Sequence, residues 1–330
     1  MGIILESFEI TGTDVSENNG VIDFITLSKY FDFGAIRLGF GKVEDDKFTV
    51  NWAESKYKIN RIPYWYLDYY SNHIATSPVN GVSDKAWGEI QAEKCWAMIK
   101  NDPAGGTVFL DIENGNPKYA KPLDDPATKK QAQAIAKAFL VRLDQLNQKQ
   151  NGIYASMGWL VWFGAWFKDR PLWVAWYNES RSVANVRANV LAAGWTGPLL
   201  IWQYASDGDI DDDGVPDGVR CGTQYRTLDL NGWLGSKQQY YDLVGITITP
   251  PPEDPQVPPE EPETETTWQV LATKLNMRVK PDKTSKGLGY YLAGAPVAID
   301  QIIGNWGHVS GQQYFICLKD AGTVLAVKIV

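Results

Sequence analysis

Two carboxylates lie two residues apart at the end of a short apolar run, and their spacing suits acid–base chemistry. The run is Thr107 to Leu110, and the acids are Asp111 and Glu113. Residues i and i+2 of a strand point to the same face, so both acids are predicted to project into one space. Two carboxylates on an apolar support do not both ionise easily, so one pKa rises and gives a proton donor beside a charged partner. Glycosidases need that pairing, although acids also decorate ordinary strand ends.

The elements that would position these acids alternate between strands and helices. Helical patterns lie near residues 25–30, 84–100 and 126–149. With polar residues at the strand ends, this alternation predicts an α/β protein built as a β/α barrel. The predicted strands are Ser7–Asp14, Phe31–Gly41, Ile62–Tyr70, Thr107–Leu110, Asn151–Ser156, Pro171–Tyr177, Gly197–Ser206 and Arg226–Trp233.

Two further acids, Asp14 and Asp229, belong to the first and last predicted strands. These strands are neighbours in a closed barrel, so we expect both acids to approach Asp111 and Glu113 on one rim. Four acids on a rim favour catalysis over the alternative that Asp14 and Asp229 only cap turns. Sugar faces stack on aromatic rings, so side chains near the strand ends are candidates for a glycan groove, although most tryptophans of such a domain lie in its core. The candidate substrate-binding residues are Tyr64, Tyr66, Asp68, Trp176, Tyr177 and Trp202.

Composition and charge exclude several other classes of protein. The net charge is −8, and six acids without any Lys or Arg lie in residues 247–267. No basic stripe indicates a nucleic-acid partner, and no apolar run is long enough to insert across a membrane. Three isolated cysteines and two distant histidines predict neither a disulfide framework nor a zinc site. The first residues lack the basic region of a signal peptide, which predicts synthesis in a cytoplasm.

Seven segments follow one another along the chain: TDVSENNGVIDF, RLGFG, TVFLDIENG, GIYASMGW, LWVAWY, IWQYAS and LDLNGW. In this order they resemble glycoside hydrolase family 25, the Chalaropsis-type lysozymes, over about residues 5–235. The resemblance implies a β/α barrel that cuts the β-1,4 bond between N-acetylmuramic acid and N-acetylglucosamine in peptidoglycan. Glu113 is similar to the family's general acid, and Asp14, Asp111 and Asp229 are similar to its other rim carboxylates. Two departures are the Thr before Asp14, where Ile is commoner, and an enlarged segment before the last strand.

The roles expected for the central pair follow from the chemistry of the leaving group. Its sugar oxygen must be protonated, so one acid stays neutral near pH 7, and we expect this acid to be Glu113. Asp111 is expected to stay charged and to orient the substrate's N-acetyl group, whose carbonyl can serve as an internal nucleophile. Retention of configuration is therefore expected, and no cofactor is required.

The C-terminal part of the chain changes character after Thr249. Prolines and acids up to Thr267 make a stiff spacer that cannot bury a core. Beyond it, LNMRVKPDKTSKGLGYYLAGAPVAI followed by NWGHV resembles the bacterial SH3 modules of cell-wall hydrolases, which often hold the enzyme on wall peptides. An oligomerisation or protein-docking domain is the alternative. The predicted domains are a catalytic barrel at 1–245, a linker at 246–267 and an all-β, SH3-like wall-binding domain at 268–330.

The segment DGDIDDDGVPDG, residues 207–218, resembles a calcium-binding loop. Alternate positions hold Asp209, Asp211 and Asp213, and Asp217 is the ninth residue counted from Asp209. The match is incomplete, because the twelfth position is Arg220 and not the bidentate Glu. A structural calcium ion is expected here, and the alternative is a solvated acidic loop.

Together these features predict a modular lysozyme of the endolysin kind that acts on bacterial peptidoglycan and is encoded by a phage or prophage. A virion-borne enzyme that pierces the wall is also compatible with the sequence. The first alternative is a non-catalytic glycan-binding or virion structural protein on the same barrel. The presence of all four acids argues against it. The second is a chitinase-like glycosidase, which the reducing-end sugar of its products would distinguish.

Overall fold

The protein divides into two compact units, Met1–Ile248 and Thr249–Val330, in a computed structural model. The structure describes residues 8–69, 82–102, 106–115, 121–177, 182–245, 266–312, 314–320 and 322–329. Most of the predicted linker, residues 246–265, therefore lies outside the described residues. No helix in the described part of the chain is long and apolar enough to cross a membrane.

The first unit is a closed barrel of eight strands, which confirms the predicted fold class. Seven neighbouring strands run parallel, from β1 through β2, β4, β5, β6 and β7 to β8, and β9 closes the barrel antiparallel to both β8 and β1. The short β3 pairs only with β2. The strands are β1 Thr11–Val15, β2 Phe33–Phe40, β3 Val43–Glu44, β4 Asn60–Tyr66, β5 Phe109–Asp111, β6 Gly152–Ser156, β7 Leu172–Ala175, β8 Leu199–Ala205 and β9 Asp229–Trp233.

The described residues of the first unit form six α-helices beside these strands, and side-chain caps mark where several of them begin. The Ser83 hydroxyl accepts a hydrogen bond from the amide of Ala86, and the Asp125 carboxylate accepts one from Thr128, which satisfies amides that lack a partner in the first turn. The two long helices lie where the sequence predicts them, whereas α2, α5 and α6 were not predicted. The helices are α1 Phe24–Leu27, α2 Phe48–Glu54, α3 Asp84–Ile99, α4 Pro126–Asn147, α5 Val183–Ala192 and α6 Lys237–Val244.

Strand alternation sorts the apolar residues of the barrel into two layers. In β2, Phe33 and Ala35 join a cluster inside the barrel, whereas Ile36 and Leu38 pack in the layer that includes the helices. A Cβ atom at Gly12 of β1 would lie 2.2 Å from Cζ of Phe33, so glycine makes room for that ring. Alternate residues of the strands thus have either an interior or a helix-facing role.

Helix α6 covers the end of the barrel at which the parallel strands begin. Leu243 and Val244 of this helix join the interior cluster. The Tyr240 hydroxyl donates to the backbone oxygen of Asp32, just before β2, and accepts from the side chain of Asn60, the first residue of β4. The opposite end of the barrel, where the parallel strands finish, is left for a functional cleft.

The second unit is all-β, as predicted. Thr266 and Thr267, which the sequence assigns to the linker, belong to its first strand. One seven-stranded sheet has the order β12-β11-β15-β14-β13-β10-β18, and β16 pairs with β17. Val270, Leu275 and Ile316 are among the residues of its small buried core. The strands are β10 Thr266–Val270, β11 Lys274–Arg278, β12 Gly287–Leu292, β13 Pro296–Ile303, β14 Trp306–Val309, β15 Phe315–Cys317, β16 Lys319–Asp320, β17 Thr323–Val324 and β18 Ala326–Lys328.

Candidate active site

The four predicted acids line one cleft of about 370 Å³. Asp14 lies near the end of β1, Asp111 ends β5, and Glu113 follows two residues later. Asp229 is the first residue of β9 and pairs in register with Asp14. Because β9 runs against its neighbours, its first residue lies on the rim where the parallel strands end. The reversed strand is therefore what completes the cluster.

Half of the predicted substrate-binding residues line this cleft and half do not. Tyr64, Tyr66 and Tyr177 line it. Trp202 does not, because it is a helix-facing residue of β8 that is 0% exposed, whereas the next residue, Gln203, points into the cleft. The prediction of Trp202 as a groove residue is thus wrong by one position of the strand.

Asp68 and Trp176 are also placed away from the cleft lining. Asp68 is buried, and its backbone oxygen accepts hydrogen bonds from the side chains of Trp87 and Gln91 on α3. Trp176 packs against the helix-facing core, and its backbone oxygen accepts the indole N–H of Trp202. Both residues follow strands and were predicted from that position alone, but their environment is structural.

The sequence did not reveal the polar residues that surround Asp14. The side-chain amides of Asn231 and Gln203 both donate to Asp14 Oδ2, at 2.7 and 2.8 Å. The indole N–H of Trp173 donates to Asn231 Oδ1 at 2.8 Å, which turns the amide nitrogen of Asn231 towards Asp14. Asn231 follows Asp229 by two residues in β9, so strand periodicity is the signal that would have found it.

Two tyrosines fix the orientation of Gln203 in the same way. The hydroxyls of Tyr154 and Tyr177 donate to Gln203 Oε1, at 2.8 and 2.6 Å. With its oxygen occupied, Gln203 presents its amide nitrogen to Asp14. Asp14 thus receives two fixed donors, and donors favour the charged form of a carboxylate.

The carboxyl groups of Asp14 and Asp229 interact, and each affects the pKa of the other. Burial raises the pKa of Asp14, while the hydrogen bonds from Asn231 and Gln203 oppose that rise. Burial and then the charge of Asp14 raise the pKa of Asp229 to about 9. Of the two, Asp229 therefore holds a proton more readily, whereas the donors around Asp14 favour its charged form.

The central pair differs from the sequence-based expectation. Burial first, and then the charge of Glu113, raise the pKa of Asp111 well above its usual range, and the Arg37 cation opposes this. Burial and the charge of Asp14 also raise the pKa of Glu113. Burial thus favours a proton on both acids, whereas a charged Asp111 beside a neutral Glu113 was expected from the sequence. Asp111 is only 6% exposed, and its Oδ1 atom is buried without a hydrogen-bond partner in the described part of the chain.

Arg37 is the cation that faces these acids, and its position in β2 is fixed by two ion pairs. Its Nε lies 2.7 Å from the Asp45 carboxylate, and a terminal nitrogen lies 2.8 Å from Glu17. Its side chain is largely buried and lines the cleft. A fixed guanidinium at this point limits how far the acid cluster is protonated.

Replacing Asp229 with Asn should stabilise the protein above neutral pH. Between its ordinary pKa of 3.8 and a folded value of about 9, wild-type Asp229 binds more protons when folded than when unfolded, so its contribution to stability falls as pH rises. An asparagine amide does not titrate, so the variant does not lose this stability as pH rises. We expect the Tm of Asp229→Asn to exceed that of wild type by about 2 °C or more at pH 8. The difference should vanish below pH 4.

Thermal melts from pH 4 to pH 9 would measure this effect. Asp46→Asn is the matched control, since Asp46 is an exposed acid outside the cleft. Equal Tm differences at pH 4 and pH 8 would contradict the assigned proton.

The predicted calcium loop brings three of its four acids together. Carboxylate oxygens of Asp209, Asp211 and Asp217 lie within 4.8 Å of one another. Asp213 stays outside this group, and its carboxylate accepts the amide of Val215 at 2.8 Å. Arg220 lies 3.4 Å from Asp211 and 3.2 Å from Asp217, so a guanidinium already neutralises part of the cluster. Three carboxylates are suitable calcium ligands. To bind calcium, Asp211 and Asp217 would have to release Arg220.

If calcium binds here, it should raise the Tm of the metal-free protein. A ligand that binds only the folded state at 100 times its dissociation constant adds about 2.7 kcal/mol, which corresponds to roughly 5–10 °C for a unit of this size. Asp211→Asn should lose the response because one carboxylate ligand is gone, and it should keep the fold because the exposed Asp211 side chain is bound by Arg220 at the surface. A melting curve of metal-free protein that ignores both calcium and EDTA would rule the site out.

Comparison with known proteins supports the resemblance to glycoside hydrolase family 25. The family description "Glycosyl hydrolases family 25" matches residues 13–213. A family 25 glycosyl hydrolase from Bacillus anthracis is 19% identical, with a TM-score of 0.51 over 72% of this chain and 95% of that chain. A bacterial lysozyme from Streptomyces coelicolor is 21% identical, with a TM-score of 0.51 over 72% of this chain and 97% of that chain.

A muramidase from Acremonium alcalophilum is likewise 21% identical, with a TM-score of 0.50 over 72% of this chain and 99% of that chain. At such identities these likenesses establish the barrel fold alone. No curated protein sequence matches significantly. The family match itself spans more than half of the 330 residues and includes three of the four cleft acids. The chain therefore belongs to glycosyl hydrolase family 25 and is a glycosidase.

Proposed function

We propose that this peptidoglycan hydrolase cleaves the β-1,4 bond between N-acetylmuramic acid and N-acetylglucosamine, with Glu113 as the proton donor. The observation that carries the proposal is the cluster of four acids in one cleft of a family 25 barrel. Loss of turbidity of purified bacterial walls tests it. A non-catalytic glycan-binding protein would leave the turbidity unchanged.

Glu113 is favoured as the donor because it combines a raised pKa with access to the cleft. Its carboxyl is partly exposed, whereas Asp111 is almost fully buried. Burial and the charge of Asp14 help it to hold a proton near neutral pH. In the first step this proton passes to the leaving sugar oxygen as the glycosidic bond breaks. Glu113 then accepts a proton from the attacking water.

We expect Asp111 to act on the N-acetyl group beside the bond. The substrate's own carbonyl oxygen attacks the anomeric carbon, and positive charge develops on the resulting ring. In its ionised form Asp111 stabilises that charge, and its buried oxygen then has a partner. The carboxylate of Asp14, held by Gln203 and Asn231, supplies a lasting negative charge in the same cleft. Neither step requires a cofactor.

The aromatic residues of the cleft support binding of a sugar chain. Tyr177 is 53% exposed although its hydroxyl is fixed by Gln203, so one ring face is available at the mouth of the cleft. Tyr66 is also partly exposed there, and Tyr64 lies deeper. Rings held at fixed positions are suited to stack on sugar faces.

The C-terminal unit is proposed to hold the enzyme on the wall and to have no part in bond cleavage. It forms a compact unit of its own, and its described residues contain three Asp and no Glu. Joined to a wall-degrading barrel, such a unit raises the local concentration of enzyme on an insoluble substrate. This arrangement supports a bacteriolytic role of the endolysin kind, for which lysis of intact cells by the purified protein is the test.

A chain ending at Gly245 should keep its chemistry and lose its hold on walls. The barrel has its own core, so we expect near full rates on soluble glycan fragments, while binding to intact walls falls by about 10²-fold, a gain that linked modules commonly provide. Cosedimentation with walls and release of reducing sugar from soluble fragments measure the two properties separately. Equal wall binding with and without the C-terminal unit would contradict this role.

A further inference from the structure

The folded part of the C-terminal unit, residues 266–330, reverses the charge of the rest of the chain. Residues 266–330 contain seven Lys and Arg against three Asp and no Glu, in a chain whose net charge is −8. Five of the seven cations, residues 274, 278, 280, 283 and 286, belong to β11, β12 and their connection. One of them, Lys283, is paired with Asp320. The positive charge of this unit is therefore concentrated on one hairpin.

Strand alternation places cations and large apolar side chains on the same outer face of this hairpin. Leu275 and Met277 of β11 contribute to the core of the unit, so Lys274, Asn276 and Arg278 take the other face. In β12, Tyr291 packs on the core. The outer hairpin face thus consists of Lys274, Asn276 and Arg278 on β11 and Leu288, Tyr290 and Leu292 on β12.

The apolar half of this outer hairpin face is unusually exposed. Leu288, Tyr290 and Leu292 are 52%, 50% and 57% exposed in one strand, and a register shift opposite Met277 and Arg278 leaves Leu288 unpaired. β12 is also an edge strand, and no strand of the described residues pairs with its far side. Scattered exposed apolar residues are ordinary, but a contiguous row marks an interaction surface.

The two halves of the face are in direct contact. Lys274 Nζ lies 4.7 Å from the centroid of the Tyr290 ring, and their strands pair Lys274 with Leu292 and Asn276 with Tyr290. An ammonium held against a ring presents positive charge beside a flat apolar surface. Arg278 follows Lys274 by four positions of the strand, about 13 Å, so the face offers two cations along a line.

We propose that the outer hairpin face binds an anionic cell-wall polymer with repeating phosphodiester and sugar or polyol units. The cations match the phosphate charges, and the exposed ring and aliphatic chains match the carbon surface between them. A linear polymer suits a row of contacts along two strands. The inference rests on the wall-binding role proposed for this unit and names the wall component that it recognises.

Cosedimentation of the full chain at 4 °C tests the proposal. The probes are purified walls that carry phosphodiester polymers, and the same walls after hydrofluoric acid has removed those polymers and left the peptidoglycan. We expect about 10-fold weaker binding or more to the stripped walls, and weaker binding to intact walls as salt rises from 50 to 500 mM.

A charge-matched pair of variants localises the effect. Lys274→Gln with Arg278→Gln removes both cations of the outer hairpin face and should weaken binding to intact walls by about 10-fold or more, the scale of two cations near an anionic surface. Lys319→Gln with Lys328→Gln removes the same charge from other strands of the unit and should change binding less than about twofold. The barrel should keep its rate on soluble fragments without the C-terminal unit, so folding of both variants is checked by thermal melts, in which the unfolding transition of that unit should be unchanged.

Three results would overturn the inference. Equal binding to intact and stripped walls would assign recognition to peptidoglycan itself, and the wall-binding role would survive. Equal losses in the two variants would remove the hairpin face from recognition. Binding to vesicles of phosphatidylglycerol and phosphatidylcholine without binding to intact walls would assign the face to membranes and would contradict the wall-binding role as well.

Discussion

Glu113→Gln should lower the rate of wall hydrolysis by about 10²-fold or more, the scale of general-acid catalysis. Glutamine keeps the shape and hydrogen bonding of the side chain but has no proton to transfer. The carboxyl of Glu113 is the partly exposed member of the central pair, and burial and Asp14 keep its pKa raised. Initial rates of turbidity loss, with the Tm as a check on folding, measure the effect.

The matched control for this variant is Glu89→Gln. Glu89 is a half-exposed residue of α3 whose weak ion pair with Lys85 lies outside the cleft. It should leave the rate within about twofold of wild type, as surface substitutions do. If Glu113→Gln kept most of its activity while Asp14→Asn or Asp229→Asn abolished it, the proton donor would be a different residue.

Asp14→Asn should also lower the rate by about 10²-fold, the scale of losing one fixed electrostatic contact to a transition state. Gln203 and Asn231 aim two donors at one oxygen of Asp14, and an asparagine oxygen can still accept there, so the fold should survive. What is lost is the negative charge near the developing positive charge of the substrate.

The pH dependence separates this role from a structural one. The charge of Asp14 is the second largest cause of the raised pKa of Asp229, after burial, and it also raises the pKa of Glu113. Without that charge both acids should lose their protons at lower pH, so the alkaline limb of the pH–rate profile should move down. A rate within threefold of wild type and an unmoved profile would contradict the assignment.

The acid cluster can be predicted from the sequence because it depends on two general properties of the fold. These are the two-residue period of a strand and the closure of the barrel between its first and last strands. The spacing of Asp111 and Glu113 places both in the cleft, and closure of the barrel brings Asp14 and Asp229 to them. The direction of β9 was not predicted, since an apolar run does not reveal which way its strand runs. Asp229 reaches the rim only because that strand is reversed.

The differences between the predicted and the observed site arise from strand register, burial and hydrogen bonding, which the order of residues along the chain does not reveal. Trp202 and Gln203 are neighbours in β8, and only the register decides which of them faces the cleft. The charge state of Asp111 depends on its burial and on Arg37, which lies on a different strand and is distant in the sequence. Amide side chains such as Gln203 carry no charge and form no motif, so only the folded barrel reveals their hydrogen bonds to Asp14.

Mass spectrometry of the fragments released from purified walls tests the central claim most directly. After borohydride reduction, the sugar at the new end of each fragment carries a distinct mass label. The proposed cleavage predicts reduced N-acetylmuramic acid at that end, with fragment release by Glu113→Gln lower by about 10²-fold. Reduced N-acetylglucosamine at that end, or equal release by wild type and Glu113→Gln, would contradict it.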